Sequence, residues 1–285
     1  MESWPVAVFA HNEERHIVAC LESISKASAT HPVRAYVLAN GCRDATAERV
    51  REFARNRSWV TLIDIKIGDK ANAWNVFMHE IAPEGDSFFF VDGDITVLPG
   101  SFDSLHAGLN TSREANAAAA VPACGRSRSQ QCRYVTDLRL VLGNLYAIKG
   151  VFASRIRAQR VKIPVGYVGD DAFVTDISKW NLDPTGPFVN ERVIPCIGAR
   201  FSFESLSALR PADAILYFKR RVRYSLRHFQ HELLVPRLLK DGISAIPESV
   251  NHLYLFQELQ SLQRRPGLDI LFDSIALRMI RRRAS

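Results

Sequence analysis

The chain has 285 residues, 47% hydrophobic and 24% charged, with a formal net charge of +7. This is the composition of a soluble globular protein, long enough for one large domain or two. No apolar run approaches ~18 residues, so no transmembrane helix is expected. Met1-Glu2-Ser3-Trp4-Pro5 lacks both regions of a signal peptide.

Strands and helices alternate through the first half. Val6 to Ala10 reads as a strand, and Ile17, Cys20, Leu21 and Ile24 fall on one face of a helix beginning near Glu14. A second strand runs from Val33 to Leu38 and ends at Asn40-Gly41, with a helix from Ala45 to Ala54. Val60 to Ile65 is a third strand, and Ala71 to Ile81 a third helix. The fourth strand is Phe88-Phe89-Phe90-Val91, apolar throughout and so buried on both faces. Such alternation means βαβ units and a parallel sheet, with the loops after the strands gathered on one edge. Beyond it, Pro99-Gly100 opens a helix through Leu109, and Ala117 to Val121 is a strand. Ser127 to Gln131 reads as a mobile polar loop, Leu145 to Ile148 as a strand and Phe152 to Ala158 as a helix. Gly166 to Asp171 leads into a helix through Trp180, and helices dominate after Pro211. The expected organisation is one domain over 1–210, divided at 98/99 into two halves, and a helical extension over 211–285.

The fourth strand runs straight into Asp92-Gly93-Asp94. Two carboxylates at the carboxyl edge of such a sheet, where open α/β proteins bind ligands, repel one another unless something positive lies beside them. A hard divalent cation, Mn²⁺ or Mg²⁺, meets that need and bridges to phosphate. A plain strand-end turn accounts for the same three residues taken alone. Cys20, Cys42, Cys124, Cys132 and Cys196 lack zinc-site spacing and read as free thiols in a reducing, cytoplasmic compartment. Basic residues concentrate at Arg220-Arg221, Arg223 and Arg227 and at Arg281-Arg282-Arg283. No nucleic-acid-binding signature accompanies them.

Five segments in order resemble family 2 glycosyltransferases of the GT-A fold. They are Ala10-His11-Asn12-Glu13-Glu14, Leu38 to Asp44, Gly68-Asp69-Lys70-Ala71-Asn72-Ala73-Trp74-Asn75, Asp92-Gly93-Asp94 and Gly169-Asp170-Asp171. The resemblance implies a Rossmann-like, mostly parallel sheet flanked by helices. It implies an inverting, metal-dependent transfer from a nucleoside-diphosphate sugar, UDP-sugar foremost, to an acceptor hydroxyl. Ala10, His11, Asn12, Glu13, Asn40, Lys70, Asp92 and Gly93 would then meet the donor, Asp94 and Asp92 the metal. Asp171, with Asp170 beside it, would be the base. Capping offers a purely structural account of Asn12, Glu13, Asp170 and Asp171. Ala39-Asn40 takes the place of the Asp-Asp or Asp-Asn common before Gly in the second loop of the family, which leaves the nucleotide open.

Arg220 or Arg223 is placed to reach a diphosphate. The Ser127 loop and the Tyr146 strand are the expected acceptor side, for a small molecule, a lipid-linked saccharide or a peptide. His252, Leu253, Leu255, Phe256 and Leu259 read as a packing face. The last helix, with its arginines, suits packing, an oligomer contact or a peripheral membrane contact. Two rival readings use the same residues. Phe88 to Val97 also fits the first motif of haloacid-dehalogenase-like phosphatases, through Asp92, Asp94 and Thr96, with Asp92 as nucleophile and Asp94 as acid/base. The chain could equally bind a nucleotide-sugar without turning it over.

Overall fold

The computed structural model describes residues 3–204, 211–255, 259 and 261–284. Met1 and Glu2, the 210/211 boundary and Phe256 lie outside them. Strands β1 (Trp4–Ala10), β2 (Val33–Asn40), β3 (Val60–Ile65) and β4 (Ser87–Asp92) pair in parallel in the order β3-β2-β1-β4. Helices α1 (Ile17–Ile24), α2 (Thr46–Ala54) and α3 (Lys70–Val76) make the crossovers. The carboxyl ends of β1, β2 and β4 therefore share one edge.

β4 has no polar face because it is covered on both sides. Phe88 and Phe90 enter one core with Trp74, Phe77 and Tyr146, while Phe89 and Val91 enter the other with Trp4 and Phe102. The rings of Phe90 and Tyr146 stack at 4.7 Å, and those of Phe89 and Phe102 meet at 4.5 Å. Burying such rings stabilises the fold by about 1.5–3 kcal/mol each, which anchors the strand carrying the acidic turn.

The second half completes an eight-stranded sheet of order β3-β2-β1-β4-β7-β6-β8-β5. Its elements are β5 (Ile95–Val97), α4 (Ser101–Leu109), β6 (Ala117–Pro122), α5 (Arg128–Thr136), β7 (Leu145–Lys149), α6 (Gly150–Ala158), α7 (Asp170–Lys179) and β8 (Val193–Phe203). β7 runs antiparallel to both neighbours, and β8 parallel to β6 with a register shift at Ala120/Val121. Gly198 lies within that irregularity, while Pro195 pairs with Ala119 before it. The expected loop at Ser127–Gln131 is instead the start of α5, which is polar because only Val135 is buried. The helix expected to Ile81 passes at Phe77 into a π turn, Phe77–Ile81.

The chain continues with α8 (Pro211–Asp241), α9 (Val250–Tyr254) and α10 (Asp269–Ala284). Ala276, Leu277 and Ile280 of α10 are buried. Asp273 is fully buried and paired with Arg265 at 2.6 Å; the Arg265 hydrogen bonds outweigh burial and hold its carboxyl at about 2. The packing face expected around His252 is only partly realised: Leu253 is buried and Leu259 partly so, but His252 and Leu255 are exposed. All five cysteines are free thiols. No helix among the described residues is long and apolar enough to cross a membrane.

Candidate active site

Two loops meet at the edge where β1 and β2 end. Asn40 is buried, and its side-chain amide donates to the carbonyls of Ala10 at 2.9 Å and Leu38 at 3.4 Å. Those hydrogen bonds latch β2 to β1. The His11 ring lies 2.6 Å from the Asn40 carbonyl, and Asn12, at φ +60°, accepts the Arg43 amide at 2.8 Å. Asn12 is therefore a loop brace and no helix cap, since α1 begins later, after His16. Glu13 sits beside His16 at 3.1 Å; burial, aided by Asp94, pushes its carboxyl up, against the His16 hydrogen bond.

Gly41 closes this corner. It adopts φ +61°, and a Cβ there would come within 2.5 Å of the Gly68 backbone. Gly41→Ala is expected to destabilise the protein by about 1–3 kcal/mol, measured by thermal melts. A melt unchanged by the substitution would mean the two loops are not braced against each other.

The charged centre forms around Lys70. Asp69 caps α3 through the Asn72 amide at 2.7 Å, and its other oxygen accepts the Gly166 amide at 2.8 Å. One carboxylate thus fixes the start of α3 against the loop before α7. Lys70 follows it and lies 2.6 Å from Asp92 and 3.1 Å from Asp170, with the Gly143 carbonyl at 3.3 Å. The Asp170 pair is an ion pair without hydrogen-bond geometry, since that oxygen is buried and has no hydrogen-bond partner. Burial pushes the Asp92 carboxyl up to about 7 despite Lys70. Lys70 stays charged because Asp170 and Asp92 outweigh its desolvation.

Gly93 packs against β1: its amide donates to the Phe9 carbonyl at 2.8 Å, and a Cβ would lie 3.0 Å from that oxygen. Asp94 is partly exposed and takes part in no ion pair or hydrogen bond among the described residues. Asp171 accepts the Ala172 amide at 2.9 Å and pairs with Arg227 of α8 at 3.1 Å. Burial raises its carboxyl, and Arg227 works against that rise. A buried glutamine holds α8 in place: Gln230 accepts from the Val168 amide at 2.8 Å and donates to the Gly166 carbonyl at 3.0 Å.

Two cavities flank Asp171. One of about 220 Å³ is bordered by Lys70, Asp92, Asp170, Arg220 and Arg223. The other, about 640 Å³, is bordered by Gln131, Tyr134, Thr175, Asp176, His228 and His231. Asp171, Arg227, Tyr224, Gly143 and Asn144 form the wall common to both. Tyr146, expected on the acceptor side, is fully buried with its hydroxyl accepting from the Trp74 indole at 3.1 Å. The loop preceding its strand lines the cavity in its place. Arg227, Asp176, His231 and Gln131 were not foreseeable as one group. They come from three helices, and no local pattern links them.

No family model matches the sequence, and no curated protein matches it. The structure does have counterparts. One is the mannosyltransferase PcManGT from Pyrobaculum calidifontis in complex with GDP-Man and Mn²⁺, at 18% identity and a TM-score of 0.60, covering 96% of this chain and 74% of that one. Another is glucosyl-3-phosphoglycerate synthase from Mycobacterium tuberculosis with Mn²⁺, UDP-glucose and phosphoglyceric acid, at 18% identity and a TM-score of 0.55, covering 87% and 81%. A likeness of this kind is one of fold, and it is not the frame that the phosphatase reading of Asp92 and Asp94 requires. With four parallel strands feeding an acidic turn, a mixed second half and these counterparts, the protein has the GT-A fold of family 2-like glycosyltransferases.

Proposed function

We propose that this protein is an inverting, metal-dependent glycosyltransferase. It moves a sugar from a nucleoside-diphosphate sugar, UDP-sugar foremost, to an acceptor hydroxyl. The observation that carries this reading is the position of Asp171 in the wall between two cavities. A carboxylate there faces a donor on one side and an acceptor on the other. The fold counterparts, in complex with GDP-Man or UDP-glucose and Mn²⁺, support the donor class.

On the donor side, Ala10, His11, Asn12, Glu13 and Asn40 shape the nucleoside corner. Asn40 does so through its backbone, because its amide is engaged in latching the strands. Lys70, Asp92 and Gly93 border the diphosphate, with Arg220 and Arg223 across from them. These cations stabilise the charge that grows on the departing diphosphate. Asp171 takes the proton of the acceptor hydroxyl, with Asp170 holding Lys70 beside it. Attack from the acceptor cavity, opposite the diphosphate, inverts the anomeric carbon in one displacement.

The residues present fit Mn²⁺ or Mg²⁺. Asp94 offers a free, partly exposed carboxylate of hard oxygens. Among the described residues no three His, Cys, Asp or Glu side chains are grouped to hold an ion alone. That suits a cation held by one or two carboxylates plus substrate phosphate. Asp94 would hold it, with Asp92 adjoining; when bound it supplies Lewis-acid stabilisation of the leaving diphosphate. By this reading residues 1–98 form the donor half, 99–210 the acceptor half, and 211–285 an extension that contributes Arg227.

Thermal melts with UDP-, GDP- and dTDP-sugars, each with and without Mn²⁺, test the donor site. At a ligand concentration 100-fold above Kd the expected gain is about 2.7 kcal/mol. It should require metal with one nucleotide and disappear in Asp94→Ala. No shift with any donor, together with hydrolysis of a generic phosphate ester, would overturn the proposal in favour of a phosphatase.

A further inference from the structure

The first turns of α8 have an unusual surface. Ala214 through Arg220 are all exposed, so no side of the helix is buried there. The run includes Ile215 at 61%, Leu216 at 46%, Tyr217 at 59% and Phe218 at 44% exposure. α10 continues the same surface. Phe218 and Phe272 meet edge to face at 5.4 Å, and Arg221 pairs with Asp269. On either side of Asp269, Leu268 is 86% and Leu271 58% exposed. Large apolar side chains gathered in this way mark an interaction site on a soluble protein.

The charge around the patch selects the partner. Lys219, Arg220 and Arg223 follow within two turns, all exposed and without an ion pair among the described residues. The chain as a whole carries +7. Aromatic and aliphatic side chains rimmed by cations match an anionic lipid surface, where the rings enter the headgroup boundary and the cations meet phosphate. A second copy of this chain would bring the same positive rim against itself, and like charges disfavour that contact.

We propose that the start of α8, together with the start of α10, docks the protein on an anionic lipid bilayer. Arg220, Arg223 and Tyr224 also border the small cavity at Asp92 and Asp170. Docking there turns the mouth of the site toward the membrane surface. The proposal does not depend on glycosyl transfer, because binding is read without turnover.

Co-sedimentation with phosphatidylcholine vesicles, with or without phosphatidylglycerol, tests it on the full chain. Binding should require the anionic lipid and weaken as salt rises. Lys219→Glu should weaken it about five-fold or more, since each basic residue at such a surface contributes a factor of that size. Ile215→Ser/Leu216→Ser/Tyr217→Ser should lose more than about ten-fold while keeping the wild-type melting temperature, as all three side chains are exposed. Equal binding to both vesicles, no binding to either, or wild-type binding by the triple variant would overturn it. So would a concentration-dependent dimer, in ultracentrifugation, that the triple variant abolishes.

Discussion

Replacing Asp171 by asparagine is expected to lower the transfer rate by about 10²–10⁴-fold, the usual contribution of a positioned base. Donor-dependent thermal stabilisation should remain, because Asp171 does not border the nucleoside corner. The amide keeps the shape and can still accept the Ala172 amide at 2.9 Å. It cannot take a proton. The pH profile gives a second reading. A base works only when deprotonated, and burial raises the Asp171 carboxyl against the pull of Arg227. The acidic limb of activity should therefore lie above the ordinary carboxylate range. Arg227→Met removes the opposing charge and should move that limb to still higher pH. If Asp171→Asn transfers at the wild-type rate, or the limb stays put in Arg227→Met, Asp171 is not the base.

Lys70→Met is expected to cost about 3 kcal/mol of stability, toward the lower end for a broken buried ion pair because the site is partly open. That corresponds to a fall in Tm of about 6–9 °C. The substitution leaves Asp92 and Asp170 facing each other without the cation now 2.6 Å and 3.1 Å from them. The sign of the pH dependence follows from Asp92. Its folded value, about 7, stands above the value near 3.9 of an unfolded aspartate. An acid raised on folding adds stability below its unfolded value and loses it as pH rises through the folded one. Without Lys70 the carboxylates must protonate to coexist, so the deficit should be large at pH 8 and smaller at pH 5. Adding Asp92→Asn should recover much of it, because the pair interact directly. Denaturant melts of the three variants at both pH values make the comparison. A deficit that does not change with pH would mean Lys70 stabilises by packing alone.

Much of this site could be read from local chain chemistry. The Phe88–Val91 run announced a strand buried on both faces, and both cores do cover it. Strand-end positions then placed Asn12, Asn40 and Asp92 on one edge without tertiary information, since parallel βαβ units leave no other arrangement. The helical reading failed where polarity imitated a loop, at α5. Periodicity reports burial, and α5 buries one side chain. Asn40 shows the same limit at atomic scale. Its place at the strand end was legible, yet only the register of β1 against β2 shows its amide spent on backbone carbonyls.

The sequence by itself determined the order of the first four strands and helices, the acidic turn at their edge and the second acidic pair at the start of α7. Each of these rests on interactions among neighbours in the chain. Only the tertiary structure decided that Lys70 bridges Asp92 and Asp170, that Arg227 holds Asp171, and that two cavities meet at that carboxylate. Asp171 and Arg227 are far apart in the chain, and Lys70 and Asp170 farther still. No local pattern encodes such pairs, because they form only when Asp69 and Gln230 pin the Gly166–Val168 loop between α3 and α8.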